Sequence, residues 1–153
     1  MNRFFDIPGD VSMQLSPWEA RRRGLDWTKG WYELQRQLRM RSDIAGGVMI
    51  IQPTFVSDLA SIPKPVWSLF MGPNDPRIAL GAWFHDECYR KQGDIILECG
   101  RNVRLSRKQS DQILCFEAMP DLHASKWRQD AVYQALRRFG HSWQTDHWTE
   151  RLS

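Results

Sequence analysis

Apolar and polar residues alternate along the first third of the chain in a pattern that predicts a β-hairpin. Within residues 31–40, the apolar residues Leu34, Leu38 and Met40 share parity with Tyr32. After a polar, glycine-containing stretch, the run 48–51 is apolar and β-branched, which favours a second strand. Pro53 limits that strand, because proline donates no backbone hydrogen bond. We interpret residues 54–67, TFVSDLASIPKPVW, as a loop pinned by its apolar side chains.

A short helix is predicted near the N-terminus. Ser16 is placed as its N-cap, Pro17 occupies the first helical position and Glu19 the third. Gly24 then supplies a C-terminal stop, because glycine tolerates the left-handed conformation that commonly ends a helix.

The second half of the chain shows three longer helical patterns, at residues 75–92, 106–119 and 124–139. The first opens on Asp75-Pro76 and ends at Gly93, the second opens on a capping box and ends before Pro120, and the third ends at Gly140. Apolar residues on one side of the third helix are Val132, Ala135, Leu136 and Phe139. We predict an α+β fold in which the N-terminal β-hairpin and short helix pack on a three-helix, mostly antiparallel core.

The size and composition of the chain fit one domain, residues 1–153. With 42% hydrophobic residues and eight tryptophans, the chain has enough apolar side chain for a core. No apolar run approaches the roughly 20 residues of a membrane span, and the first ten residues lack a signal-peptide core. The three cysteines have no CxxC spacing, which favours a reducing compartment.

Charge alone identifies no partner, since 21 basic side chains are opposed by 18 acidic ones. The densest basic cluster is the arginine run 21–23, close to Trp18, Trp27 and Trp31. Interleaved basic and aromatic side chains are typical of a nucleic-acid groove. Such runs are more often a solvated helix face beside core tryptophans, and we favour that interpretation.

Candidate chemistry centres on the string HDECY in the predicted helix 75–92. At helical spacing, four residues share one stripe: Ile78, Ala82, His85 and Tyr89. His85 therefore points toward the core, where it needs a partner, and Asp111 on the inward stripe of the next helix is the natural candidate. A carboxylate bonded to one ring nitrogen leaves the other able to take a proton from water, as a general base does.

Two further carboxylates are candidate ligands of a hard cation. Asp86 lies about 100° around the helix from His85, off the buried stripe, so we expect it to matter little for folding. Together with Asp58 it offers oxygen donors suited to Ca²⁺ or Mg²⁺. A structural interpretation stays open for each group: His85, Tyr89 and Asp111 as a hydrogen-bond network that locks two helices, and Asp58 as an Asx turn.

Ser61 is a candidate nucleophile by residue type alone. It lacks the GxSxG elbow and a located base, so its hydroxyl is expected to cap the following turn.

Four strings resemble a family of short phage and prophage proteins known as domain of unknown function 1353: FVSDLASIPKPVW, WFHDECYR, SRKQSDQILCFEAM and AVYQALRRFG. Their order and spacing match from about Val48 to Phe139, which implies a family-like core at about 31–140. The resemblance implies signature positions at Asp58, Ser61, His85, Asp86, Tyr89 and Asp111. It implies a phage protein in the host cytoplasm or incorporated into the virion, and it implies no established activity.

HDECY is also similar to the HDxCY motif of secreted phospholipase A2, where the His is the general base, the adjacent Asp binds calcium and a later helix brings an Asp to the His. The resemblance implies these roles for His85, Asp86 and Asp111, with Tyr89 bonding Asp111. The sequence departs from that pattern. It lacks the glycine-rich calcium loop and the disulfide framework, and Ser110 stands where a half-cystine precedes the partner Asp.

The leading hypothesis is a metal-assisted hydrolase of unknown substrate. In it, His85 activates water, Asp111 orients His85, and Asp86 with Asp58 holds Ca²⁺ or Mg²⁺. The first alternative is a non-catalytic phage accessory or virion protein whose Trp-rich surface binds virion or host proteins. The second is a nucleic-acid binder.

Overall fold

A computed structural model describes residues 2–5, 12–58, 64–70 and 75–139, and its helices and antiparallel strands confirm the α+β class. Ser61 and Gly140 lie outside the described residues. The strands are β1 (Ser12–Gln14), β2 (Tyr32–Leu34), β3 (Leu38–Ser42), β4 (Gly47–Ile51), β5 (Val56–Ser57), β6 (Asp94–Ile96) and β7 (Asn102–Arg104). The helices are α1 (Pro17–Arg22), α2 (Lys64–Trp67), α3 (Ala79–Arg90), α4 (Arg107–Gln112), a π-helical segment (Ile113–Ala118), α5 (Met119–Asp121) and α6 (Lys126–Phe139).

The predicted hairpin forms from β3 and β4, in the register Leu38↔Ile51 to Ser42↔Gly47. The prediction of one strand over residues 31–40 is wrong, because β2 lies in another sheet, between β1 and β5. The exposed residues 35–37 separate the two strands. The apolar parity continues across this break because Leu34 of β2 is buried and β3 buries Leu38 and Met40 on the same parity.

The segment 54–67 contains more regular structure than the predicted loop. β5 pairs antiparallel with β2 through Tyr32↔Ser57, and α2 forms a single helical turn. The short helix near the N-terminus is confirmed: the Ser16 hydroxyl accepts a hydrogen bond from the Glu19 N–H at 3.1 Å, and Gly24 follows with φ +76°.

The helix that carries HDECY begins later than predicted. Asp75 caps a separate turn, since its Oδ1 accepts the Arg77 N–H at 2.9 Å, and α3 then starts at Ala79. The helix ends at Arg90, two residues before the predicted end, and the predicted stop Gly93 follows the C-cap turn with φ +83°. Residues 80–89 are all buried, so this helix runs through the core with no solvated face in that stretch.

A second hairpin, β6–β7, joins α3 to α4 and was not predicted. Its strands have three residues each and Ile96 is 62% exposed, so no apolar pattern marks it. Gly93 holds the hairpin against the start of α4, where its carbonyl accepts the Leu105 N–H at 2.8 Å. The hairpin thereby returns α4 alongside α3, which brings the later helix to the HDECY face.

The second long helix opens on the predicted capping box of Ser106 and Gln109. The prediction that Pro120 ends it is wrong, because α4 continues through the π-helical segment into α5 and Pro120 lies within α5. Proline donates no backbone N–H, and its ring crowds the carbonyl of the preceding helical turn. The wider turn of the π-helical segment before Pro120 relieves that crowding.

The π-helical segment packs against the β3–β4 hairpin through Glu117 and against α3 through Gly81. The Glu117 carboxylate accepts hydrogen bonds from the Ser42 hydroxyl at 2.5 Å and from the backbone N–H of Asp43 at 2.8 Å. A Cβ on Gly81 would lie 2.8 Å from the Ala118 Cβ, so glycine allows α3 and the π-helical segment to approach closely.

The third long helix, α6, starts at Lys126 and places Val132 and Leu136 in the core as predicted. Of the other two residues on this apolar side, Ala135 is half-buried and Phe139 is 50% exposed, so the core does not cover that side to its end. In the described part of the chain, none of the helices is both long enough and apolar enough to span a membrane.

Candidate active site

Asp111 is the centre of a buried polar network that links three helices. Its Oδ1 lies 2.8 Å from His85 Nε2 and accepts the Tyr89 hydroxyl at 2.5 Å. Its Oδ2 accepts Arg137 Nη1 from α6 at 2.9 Å. The His85 and Asp111 side chains are both 0% exposed. The structure thus brings together His85, Tyr89 and Asp111, as the helical spacing indicated for His85 and the resemblance implied for Tyr89, while their catalytic role stays a prediction.

The network keeps Asp111 ionised. Burial alone would raise the pKa of Asp111, but hydrogen bonds from His85, Tyr89 and Arg137 outweigh it and leave this pKa below its ordinary value. The pKa of Tyr89 is raised, first by burial and then by the Asp111 charge, so Tyr89 stays a neutral donor.

The ionised carboxylate determines the tautomer of His85. A carboxylate only accepts hydrogen bonds, so His85 Nε2 carries the proton in the contact with Asp111. In the neutral imidazole the lone pair is then on Nδ1, which is the atom able to accept a proton.

Asp86 is only 2% exposed. The expectation that it lies outside the buried side of the helix is therefore wrong. The reason is that α3 is packed on every side. The Asp86 Oδ2 accepts the Ser57 hydroxyl at 2.6 Å and lies 3.2 Å from Arg90 Nε. Burial raises the pKa of Asp86, while Ser57 and Arg90 partly oppose the rise.

Asp58 lies next to Ser57, so β5 brings both residues to the Asp86 side of α3. The Asp58 side chain is 12% exposed and its Oδ2 is 3.5 Å from Lys29 Nζ. Its negative charge contributes to the raised pKa of Asp86, so the two carboxylates act on one another. Among the residues that the structure describes, no group of three His, Cys, Asp or Glu side chains is arranged as a metal site.

Three contributors to the site were missed at the sequence level: Ser57, Arg107 and Arg137. Arg107 is buried and forms a hydrogen bond that acts on Tyr89. Arg137 reaches Asp111 although its neighbour Leu136 is the core residue of that turn. The only sequence signal for Arg137 was a basic residue next to an inward apolar position, which is common on solvated helices. Ser61 lies outside the described residues.

The basic cluster of residues 21–23 is largely neutralised by acidic neighbours. Glu19 pairs with Arg22 at 2.6 Å and with Arg23 at 2.9 Å, and Arg23 also pairs with Glu33. The Arg22 guanidinium lies over the Trp18 ring, which is 70% exposed. These contacts favour the interpretation as a solvated helix face. The expectation that the neighbouring tryptophans belong to the core is wrong for Trp18 and for Trp27, which is 53% exposed.

A family model described as "Protein of unknown function (DUF1353)" matches residues 32–136. The span lies within the family-like core expected at 31–140 and contains the HDECY helix and Asp111. No curated protein and no solved structure matches the chain.

Proposed function

The chain belongs to the DUF1353 family of proteins of unknown function, and from that premise we propose that it is a hydrolase with a His/Asp centre. The contact of 2.8 Å between His85 Nε2 and Asp111 Oδ1 is the observation that supports this. A general base needs a fixed ring orientation and a defined tautomer, and an ionised carboxylate on one nitrogen supplies both.

In the proposed reaction, Nδ1 of His85 takes a proton from a water molecule while the water oxygen bonds to an acyl or phosphoryl centre. Asp111 stabilises the imidazolium that forms, and the leaving group then takes the proton from it. Arg137 and Tyr89 act as positioning residues, because they hold the Asp111 carboxylate in place and keep it ionised. A general base of this kind contributes about 10² to 10⁴ in rate.

A divalent cation, Ca²⁺ or Mg²⁺, is the second part of the proposal, with Asp86 and Asp58 as its ligands. Support comes from two neighbouring carboxylates and from the raised pKa of Asp86, since an added cation favours the charged form of a buried acid. Bound there, such an ion would stabilise negative charge that develops on the substrate oxygen.

The resemblance to phage and prophage proteins adds a cellular setting to the proposal. It supports action in an infected host cell, in the cytoplasm or within the virion, and a plaque assay therefore serves as a biological readout.

The proposal is tested by His85→Gln. Glutamine keeps one hydrogen bond to Asp111 but takes up no proton near neutral pH, so we expect a loss of activity of about 100-fold or more in a folded protein. Probes are p-nitrophenyl butyrate, bis(p-nitrophenyl) phosphate and phosphatidylcholine vesicles, with circular dichroism to monitor folding.

Tyr89→Phe is the matched control, because it removes a hydrogen bond to the same Asp111 oxygen and leaves the base intact. We expect it to cost about 1 kcal/mol of stability and to retain most of the activity. If His85→Gln behaves as the wild type with these probes and in plaque formation, the network has a structural role and the hydrolase proposal is wrong.

The cation is tested by thermal melting in millimolar CaCl₂ or MgCl₂. A ligand that binds only the folded state raises the melting temperature, and Asp86→Asn is expected to abolish the rise. Asp94→Asn is the control, because Asp94 is an exposed partner of Arg104 and should leave the rise unchanged. The absence of a shift with either ion would contradict the metal part of the proposal.

A further inference from the structure

The β3–β4 and β6–β7 hairpins lie on two sides of a cleft of about 550 Å³. They form separate sheets, yet one hydrogen bond joins them beside the cleft, where the Glu98 N–H donates to the Val48 carbonyl at 2.8 Å. Within the described residues β4 and β6 are not paired beyond this bond, and Ile50 of β4 and Ile96 of β6 both line the cleft. The cleft therefore opens where the two strands separate.

The register of the first hairpin turns the main chain of Ile50 away from β3. In β3, the carbonyl of Arg39 accepts the Phe5 N–H of the N-terminal segment at 3.2 Å, so the odd-numbered residues of this strand face that segment. The even-numbered residues bond to β4, and the register Met40↔Met49 pairs them with its odd-numbered residues. The N–H and C=O of Ile50 consequently point out from the free edge of β4.

The second hairpin turns the main chain of Ile96 toward the same gap. The Leu97 N–H donates to the Arg101 carbonyl at 2.9 Å, so the odd-numbered residues of β6 bond to β7. The even-numbered residues point the other way, in agreement with the bond from Glu98 to β4. Among the residues that the structure describes, Ile50 and Ile96 form no main-chain hydrogen bond across the gap. Strand edges of this kind are templates for pairing with another chain.

The side chains that line the cleft favour an uncharged peptide. Its charged groups already have partners, since Glu98 lies 2.8 Å from Arg39 and Lys91 Nζ lies 2.5 Å from Glu87. A charged ligand would therefore enter the cleft without a counter-charge. Further lining residues are polar and apolar in similar measure: Gln52, Thr54, Ile50 and Phe55. This mixture suits a peptide, which combines a polar main chain with apolar side chains at alternate positions.

We propose that an extended, uncharged peptide segment of a partner protein inserts between β4 and β6 and joins the two hairpins into one sheet. Its main chain bonds to Ile50 on one side and to Ile96 on the other, and an apolar side chain packs on Phe55. About four residues, which span roughly 13 Å in a strand, are enough to reach both edges. Neither Ile50 nor Ile96 belongs to the Asp111 network, so this site is separate from the proposed hydrolase centre.

The test is an NMR titration of the full chain with the capped peptide acetyl-Thr-Val-Thr-Val-amide, combined with amide hydrogen exchange. We expect exchange at the Ile50 and Ile96 amides to slow about tenfold or more at saturation, because both N–H groups acquire acceptors. Absence of binding, or unchanged exchange at either amide, would overturn the proposal. Protection of both amides that rises with protein concentration without peptide would assign the edges to a second copy and would also overturn it.

Two N-methylated peptides are the matched controls, each with the methyl group on the nitrogen of one central residue. The N–H groups of successive residues point to opposite sides of a strand, and an inserted strand uses both sides. Each methyl group should therefore weaken binding about tenfold while the side chains stay the same. Equal affinity for either methylated peptide, or tighter binding when lysine or glutamate replaces the threonines, would contradict the proposal.

Ile96→Pro tests the same contact from the protein side. Proline removes the outward N–H of β6 but no bond within the hairpin, and proline is tolerated at such edge positions. We expect the melting temperature to change little and the affinity for the peptide to fall about tenfold. Ile96→Val is the matched control, because it keeps the N–H and should retain affinity within about threefold. Equal binding by a folded Ile96→Pro protein would show that β6 takes no part in recognition, against the proposal.

Discussion

Asp111 in α4 and Asp86 in α3 are both buried, but their pKa values are shifted in opposite directions. Hydrogen bonds from His85, Tyr89 and Arg137 outweigh burial and lower the pKa of Asp111. Its ionised form therefore stabilises the fold above the unfolded value near 3.8, and this stabilisation is lost as pH falls through the lowered pKa. Burial raises the pKa of Asp86. The stability contributed by its protonated form is therefore complete below the unfolded pKa near 3.8 and is lost as pH rises through the raised pKa.

The matched variants Asp111→Asn and Asp86→Asn should therefore respond oppositely to pH. At about pH 7 we expect Asp111→Asn to lose about 3 kcal/mol, because Arg137 stays partly buried without its anion, and the loss should shrink toward about pH 3. Asp86→Asn should be as stable as the wild type or more stable at about pH 7, with the difference vanishing in acid. Urea unfolding across this range measures both, and parallel pH profiles would contradict the assignment.

At the scale of secondary-structure elements, the junction between α3 and the β6–β7 hairpin depends on Gly93. Its φ is +83°, and a Cβ there would lie 1.8 Å from the Leu105 carbonyl oxygen. Gly24, after α1, has a similar φ of +76°, but a Cβ added there would meet no atom within 4 Å. A substitution at Gly24 would therefore meet backbone strain alone, whereas one at Gly93 would meet strain and a steric clash.

Gly93→Ala is expected to destabilise the protein by well over about 2 kcal/mol, because strain and clash add, whereas Gly24→Ala should cost about 1 kcal/mol through strain alone. Urea denaturation of both variants measures the difference. Similar losses at the two positions would show that the close approach at Gly93 is relieved cheaply.

Local signals predicted the elements better than their partners. The caps at Ser16 and Ser106 and the stops at Gly24 and Gly93 were readable, because each acts within about one helical turn. The assignment of β2 to another sheet depends on its pairing with β1 and β5, which no local pattern encodes.

The same limit applies to the site. The helical spacing placed His85 and Tyr89 on one helix face and made Asp111 the candidate partner of His85, since the residues of one face are known from periodicity. The bond from Tyr89 to Asp111 was implied by the resemblance to phospholipase A2. The burial of Asp86 and the contact from Arg137 required knowledge of what packs on the remaining sides of α3 and where α6 lies.

At the scale of the whole molecule, the N-terminal residues are joined to distant elements. The Arg3 N–H donates to Asp121 Oδ2 at 2.8 Å, Arg3 Nη2 pairs with Asp43 at 2.9 Å, and Phe4 bridges to Met40. These contacts connect the first residues with the β3–β4 hairpin and with α5, which supports our proposal of a single domain.

A single domain should unfold in one cooperative transition. Far-ultraviolet circular dichroism reports on the helices, and tryptophan fluorescence reports on packing around the buried Trp83 and the half-buried Trp31. We expect the two urea curves to coincide. Two separated transitions would show that the N-terminal part and the helices are independent units.

The Asp111 network also bears on the order in which the chain folds. Asp111 is 26 residues from His85 and 26 from Arg137, whereas the Arg3 contact with Asp121 closes 118 residues. Loop-closure entropy rises with the logarithm of length, so the shorter loops are the less costly to close. We expect the helices around Asp111 to assemble first and the N-terminus to be the last part of the described chain to attach.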